Sequence, residues 1–388
     1  MKARSAITTV FFVDGALFAS WVSRIPALAT HAGANSATLG LALLAPAVGA
    51  LVAMPAVGRW LPGRSSRSLC RFATAALAVA VALPPLAGSV VLLGLTLLAV
   101  GLAMATLDVS MNAHGVAVER RLDRPVLSSL HAAFSFGGCA GAGIGALAAL
   151  AEISPAAHLA GAGLLFGAVG LVAGRWLLPD DAASEGAPER LRIMRLPVRL
   201  ALLGAACFCS FLAEGGAADW SAKLVRDDLA GSAALGAIAY ATFSLAMGSG
   251  RLLADAIWSR WGPVRLLRRF SLVASAGFAA ALLVGTAPAA VAGFAALGLG
   301  LSAGAPTLFR SAAGQPGVAT APALATVSML GYTGFLAGPP IVGGVAQLTS
   351  LRLACGLFVL AGLLVLSLAF AARPATRDPR DLQAVAAR

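Results

Sequence analysis

Three carboxylic acids stand inside long apolar stretches of this chain: Asp14 after Val10-Phe11-Phe12-Val13, Asp108 after Ala105-Thr106-Leu107, and Glu214 after Phe211-Leu212-Ala213. An ionised carboxylate in an apolar surround is so costly that it must face a polar cavity, pair with a cation, or hold a proton. Such acids suit reversible protonation and the binding of a polar solute. Asn112 follows Asp108 by four residues, so the two share a helix face. They read as a protonatable acid beside a hydrogen-bonding amide, or as a polar clamp between helices. Glu214 precedes Gly215-Gly216, which would weaken a helix and permit a bend. It reads as a coupling or binding acid, or as half of a structural pair. Asp14 is expected in a cavity.

The cations and imidazoles are fewer. Arg24 lies ten residues after Asp14, about 15 Å along a helix and out of its reach. It could hold an anionic group of a solute, or snorkel to lipid headgroups. His131, near Phe134 and Phe136, could relay protons because its pKa lies near neutrality; a lone His on an apolar helix is also an ordinary packing residue. His31, His114 and His158 fall near the ends of apolar runs and carry less weight. Asp219-Trp220 is expected near a membrane surface, where Trp is usually an interface anchor. No His, Glu and Cys fall at metal-ligand spacing. Cys70, Cys139, Cys207, Cys209 and Cys355 read as small apolar filler. The chain has no Gly-x-x-x-x-Gly-Lys loop for ATP. No catalytic residue, metal or cofactor is expected, and the chain does not read as an enzyme.

The elements that must position these residues are membrane spans. Of 388 residues 59% are hydrophobic and only 11% charged, against about 25% charged in soluble domains; the mean hydropathy is +0.88. Twelve apolar runs recur, at 6–28, 37–57, 70–88, 90–114, 126–150, 156–177, 198–221, 234–257, 267–287, 289–309, 320–346 and 352–372. Each is long enough for a hydrocarbon core of roughly 30 Å. The net charge of +12 does not indicate nucleic acid, because it is scattered over short loops.

That scatter has a pattern. Most of the 28 Lys and Arg lie in every second gap: Arg59, Arg64, Arg67 and Arg71, then Arg120, Arg121 and Arg124, then Arg190, Arg192, Arg195 and Arg199, then Arg260, Arg265, Arg268 and Arg269, and the tail. The intervening gaps hold only Lys223, Arg226 and Arg352. The positive-inside rule then places both termini in the cytoplasm. Met1–Ser5 offers no cleavage site, so the first run reads as a start anchor. A polar stretch, 178–197, separates an N-terminal six-helix bundle, 1–177, from a C-terminal one, 198–372, followed by a tail, 373–388. A shift of 199 residues superposes Trp21 on Trp220, Arg24 on Lys223, Gly101 on Gly300, Ser129 on Ser328, Phe136 on Phe335 and Gly145 on Gly344. Two such parallel repeats build a central cavity in one large class of transporters.

The 6+6 arrangement, with its basic second–third loop echoed between spans eight and nine, resembles the major facilitator superfamily. Its loop signature is approximated by Gly58-Arg59-Trp60-Leu61-Pro62-Gly63-Arg64-Ser65-Ser66-Arg67, with Pro62 where an Asp is usual. The second copy, Gly250-Arg251-Leu252-Leu253-Ala254-Asp255 followed by Arg260-Trp261-Gly262, is closer. The stretches Phe11–Gly15, Ser20–Pro26, Leu107–Gly115 and Ala213–Trp220 resemble the fucose-permease-like branch, and within it bacterial inner-membrane permeases. Asp108 and Asn112 match the acid and amide of that branch's span-four pattern; Val22 stands where it has an acid late in span one, and the acid here is Asp14.

The resemblance implies an all-α membrane protein of twelve helices in two pseudo-symmetric bundles. It implies a secondary transporter of the bacterial inner membrane, working by alternating access on a small polar solute such as a sugar or sugar derivative. Proton coupling through Asp14, Asp108 or Glu214 is expected, with Arg24, Asn112 and His131 as further site residues. Arg251, Asp255 and Arg260 are expected to form a cytoplasmic gate at the end of span eight, by the attraction of an acid to a helix N-terminus. The Gly137–Gly145 run resembles the superfamily's span-five motif, without its usual Pro, and Gly338-Pro339-Pro340 is a kink candidate. The expected partners are the solute, protons and the lipid bilayer, with no nucleic acid, in a monomer. Drug efflux, or a membrane sensor that transports nothing, are the competing readings. A sensor of this architecture usually adds a soluble domain, for which the tail is short.

Overall fold

A backbone in hydrocarbon must satisfy its own N–H and C=O groups, and an apolar helix does so within one segment. The computed structural model describes residues 2–60, 65–122, 126–179, 197–315, 318 and 320–373. Among them the chain forms α1 Lys2–Val22, α2 Ile25–His31, α3 Ser36–Trp60, α4 Ser66–Ala80, α5 Val90–Leu122, α6 Leu127–Leu150 and α7 Pro155–Ala173 in one half. The other half forms α8 Val198–Lys223, α9 Ala233–Val284, α10 Ala287–Leu301, α11 Gly304–Ala313, α12 Thr320–Leu348, α13 Leu351–Ala354 and α14 Gly356–Leu368. Twelve segments are long and apolar enough to cross a membrane. The two halves are six-helix bundles. Most of the central stretch expected at 178–197 and the tail beyond 373 lie outside the described residues.

Where helices differ from the predicted runs, local chemistry explains it. The first run divides at Ser23-Arg24, with Pro26 in the opening turn of α2, where a missing N–H costs nothing. The fourth span continues through the charged Glu119-Arg120-Arg121 to Leu122. Spans eight and nine both lie in α9, which turns at Gly262 (φ 70°, ψ 168°) immediately before Pro263. Only glycine takes that positive φ cheaply, so the chain changes direction there with almost no loop. The tenth span is α10 and α11 together, interrupted at Ser302-Ala303.

Small residues set the helix spacing inside each bundle. A Cβ on Gly15 of α1 would lie 2.0 Å from the Phe134 carbonyl oxygen of α6; one on Gly137 of α6 would lie 2.0 Å from the Phe12 oxygen; and one on Gly141 would lie 2.1 Å from the Ala16 oxygen. The C-terminal bundle repeats this between its own first and fifth spans, where a Cβ on Gly334 of α12 would lie 2.3 Å from the Phe208 oxygen of α8. Leu164, Leu283 and Leu348 project from the outer surface, as suits a lipid surround.

The bundles meet along two seams, α3 with α12 and α6 with α9. The α3 seam is tight at the end remote from the Arg-rich loops, hereafter the far end: a Cβ on Gly40 would lie 2.6 Å from the Pro339 oxygen, and one on Gly343 2.5 Å from the Ser36 oxygen. On the other seam Ala146 of α6 packs with Ala234 and Ala237 of α9. An Arg226 Nη donates across the same end to the Thr30 hydroxyl at 3.1 Å.

These contacts predict a contrast on two helices. Gly15→Ala and Gly137→Ala should each destabilise by ~1–3 kcal/mol, the usual cost of overpacking. Gly143→Ala, with nothing within 4 Å of its added Cβ, should leave the unfolding temperature in detergent unchanged or raised. Equal melting of all three variants would show that α1 and α6 are not in backbone contact.

Candidate solute chamber

Mid-way along the helices, polar side chains from both halves face one another. On α5, Asn112 Nδ2 donates to Asp108 Oδ1 at 2.9 Å and to the Asp108 backbone oxygen at 2.9 Å. The i, i+4 spacing read from sequence therefore becomes a real contact. The amide orients one carboxylate oxygen, while the residue stays half-buried.

On α8, Glu214 Oε1 accepts from an Arg251 Nη of α9 at 3.0 Å, with the two side chains 23% and 15% exposed. The other Arg251 Nη donates to Ser135 Oγ of α6 at 2.9 Å. Arg251 thus sits beside the acid, not with Arg260, which is exposed. The side chain of Asp255 lies outside the described residues. Gly215-Gly216 does not interrupt the helix: α8 runs on to Lys223. Those glycines make room for rings, since their added Cβ atoms would meet Phe335 at 2.6 Å and Phe358 at 2.2 Å.

An aromatic cluster lies against the acids. Phe211 of α8 contacts Phe335 and Tyr332 of α12 at centroid distances of 4.6 and 5.6 Å. Tyr332 is 39% exposed although Asp108 and Glu214, from opposite bundles, both lie within electrostatic range. Exposure between two bundles marks open space there. His131 of α6 is likewise exposed; it meets Phe11 edge-on at 5.3 Å and lies within range of Arg251.

Two expected site residues lie elsewhere. Asp14 is 1% exposed, and neither of its oxygens has a hydrogen-bond partner among the described residues; it is packed within the N-terminal bundle, in electrostatic range of Asp108, and does not line the open space. Arg24 neither snorkels nor reaches the chamber. It is 6% exposed; its Nε donates to His158 Nδ1 at 3.2 Å and an Nη donates to the Ile153 carbonyl. The break before α2 turns this side chain inward, where it ties the first span to the start of α7. Trp220 is no interface anchor: it is fully buried, as is its repeat partner Trp21 at 2%, and it packs by Gly343 at the far-end seam. Its neighbour Asp219 stays half-buried.

The sequence reading missed Ser135, Phe211 and Tyr332. Tyrosine offered a signal, for the chain has only two, and both Tyr240 and Tyr332 lie within electrostatic range of Glu214. Ser135 had none.

No protein-family profile matches the chain. An MFS-type transporter of Yersinia pestis is 34% identical, over 95% of this chain and 94% of the relative. A transporter of Sinorhizobium fredii is 32% identical over 88% and 91%, and membrane protein MosC of Rhizobium meliloti is 30% identical over 93% and 88%. The chain belongs to the major facilitator superfamily of transporters. Solved structures share its fold: the nucleoside transporter NupG (TM-score 0.71, 14% identity, 97% of this chain and 100% of that one) and a D-xylose-proton symporter (TM-score 0.73, 15% identity, 97% and 99%). This MFS protein is therefore a multi-pass membrane transporter and not an enzyme.

Arg24 and His158 form a structural tie within the first bundle of this transporter. Arg24→Gln should destabilise by ~1–3 kcal/mol, because partners are left unsatisfied. The double variant with His158→Phe should lose less than the sum of the two single losses. Additive losses in thermal unfolding would show that the two side chains do not interact.

Proposed function

We propose that this transporter carries a small polar, ring-bearing solute, a sugar or sugar derivative, across the bacterial inner membrane with protons. In this reading both termini are cytoplasmic, by the placement of arginine, the protein acts as a monomer, and residues 1–177 and 198–372 are the bodies that rock. The observation that carries it is that Asp108 on one bundle, hydrogen-bonded to Asn112, lies within electrostatic range of the partly exposed Tyr332 on the other, with Phe335 packed on that tyrosine. A carboxylate and an amide hydrogen-bond vicinal hydroxyls, while an aromatic face covers the apolar face of a ring. Binding both partners would bring the two bodies together around the solute.

Asp14 and Glu214 are the proposed coupling acids. A bare charge on Asp14 would have no partner and almost no water, so its ionisation needs a rearrangement, which suits a group that carries a proton only in some conformations. Asp255 and Arg260 remain proposed gate residues at the Arg-rich end of span eight, by the resemblance.

A thermal-shift screen of neutral, amino and acidic sugars on purified protein would supply a ligand. Loss of a charge-assisted hydrogen bond costs ~1.5–3 kcal/mol, so Asp108→Asn should weaken that ligand by roughly tenfold or more. Uptake into right-side-out vesicles should collapse when a protonophore removes the gradient. A ligand that binds Asp108→Asn and Tyr332→Ala as tightly as the wild type would remove the proposed site. Uptake indifferent to the gradient would remove proton coupling.

A further inference from the structure

Two arginines reach from the C-terminal bundle to a hydroxyl of the N-terminal bundle. Arg226 is held by Asp227 at 2.5 Å and donates to Thr30 at the far end. Arg251 is held by Glu214 at 3.0 Å and donates to Ser135 in the chamber. In each, an acid orients the guanidinium and the guanidinium crosses the seam.

The chamber pair has a property that the far-end pair lacks: its acid lies beside the open space where protons and solute arrive. A guanidinium is planar and rigid, so fixing one Nη on a carboxylate fixes the direction of the other. Neutralising Glu214 turns an ion pair into a weaker hydrogen bond from the guanidinium to a neutral carboxyl oxygen. Arg251 then loses the anchor that aims it at Ser135. Around that bond the seam is mostly contact between small residues: a Cβ on Gly138 would lie 3.0 Å from the Ser244 hydroxyl, and one on Gly248 3.0 Å from the Ser135 side chain. Such contacts slide or part more readily than directed bonds. Ser135 is itself turned by donating to the His131 backbone oxygen at 3.3 Å.

We propose that Arg251 is a positioning residue that transmits the protonation state of Glu214 to the α6–α9 seam. With Glu214 ionised, Arg251 bonds Ser135 and the bundles are held together at chamber level. When Glu214 takes a proton from the chamber, or gives its carboxylate to the solute, the crossing bond is released and the bundles are free to move. The inference rests on the proton-coupled reading above. The titratable and charged groups facing the pair are His131 of α6, Cys207 of α8, Tyr240 of α9 and Tyr332 of α12, with Asp219 of α8 and Asp108 of α5 behind the two tyrosines.

The test needs only protons as ligand. Spin labels would be attached through Arg121→Cys on α5 and Arg265→Cys on α9, both exposed at the Arg-rich end, with the five native cysteines replaced. Distances would be read by pulsed electron paramagnetic resonance on the full chain in lipid nanodiscs, at about pH 4 and about pH 8. The wild type should change the ratio of its two distance populations by roughly fivefold or more between these conditions. Glu214→Gln at the higher pH should give the wild type's low-pH distribution. Ser135→Ala should shift in the same direction, Arg251→Gln should give one distribution at both pH values, and Arg251→Lys should restore part of the response. A wild type with no response, or a response undiminished in Arg251→Gln, would overturn the proposal. Either result would leave intact a transport reading supported by gradient-driven uptake, and uptake without gradient dependence would remove that reading independently.

Discussion

A charge in a hydrocarbon slab has few tolerable settings, and this protein uses several of them. Glu214 is paired with Arg251. Asp108 is hydrogen-bonded to an amide and half-open to the space between the bundles. Arg24 is bonded to an imidazole and a carbonyl. Asp14 is buried without a partner among the described residues, a setting that a neutral acid tolerates and a carboxylate does not. Helix order, bundle packing and the position of the open space all serve to give these groups somewhere to be. Remove the polar chamber and Asp108 and Glu214 would have to leave the membrane or lose their charge, whereas Arg24 and Asp14 are housed inside the first bundle.

The glycine contacts explain how a chamber can exist between two bundles without the bundles themselves loosening. In each half the first and fifth spans approach until backbone touches backbone, at Gly15, Gly137, Gly141 and Gly334. Dispersion is short-ranged, so such contact holds the helices far better than a gap of one methylene would. Across the α3–α12 seam glycine also brings backbones close at the far end, where a Cβ on Gly40 or Gly343 would lie 2.6 or 2.5 Å from a backbone oxygen of the other bundle.

The sequence told much of this and missed the rest for definite reasons. Twelve spans were legible because apolar length is fixed by membrane thickness. The Asp108–Asn112 contact was legible because it is local, one helical turn apart. Partners from other helices were not. Nothing near Glu214 in the chain pointed to Arg251, 37 residues away, or to Ser135. Arg24 looked like a residue for solute or headgroups because its fate depended on a helix break and on His158, 134 positions on. Gly215-Gly216 looked like a hinge because a glycine's effect on flexibility is local, whereas its use as a seat for Phe335 and Phe358 is tertiary. Trp220 shows the same limit: a Trp toward the end of an apolar run is an anchor only if the run's end meets water and lipid, and here it meets Gly343 of α12 in its own bundle, beside the seam with α3.

The two crossing arginines give the near-symmetric halves an asymmetry that a transport cycle can use. Both bonds end on a hydroxyl, Thr30 or Ser135, which costs little to desolvate when the bond opens. Both begin on a guanidinium with an acid in its own bundle; Arg226 keeps its carboxylate when its bond opens, whereas the acid beside Arg251 is the group whose charge changes. They differ in setting. Arg226, Asp227 and Thr30 are exposed at the far end, where water competes for every bond and an ion pair is worth ~1 kcal/mol or less. Arg251 and Glu214 sit in a partly buried chamber, where the same geometry is held more firmly and responds to whatever enters. A far-end seal that is weak and a chamber bond that is conditional form a ranked pair: the second is the one that a proton or a solute can address.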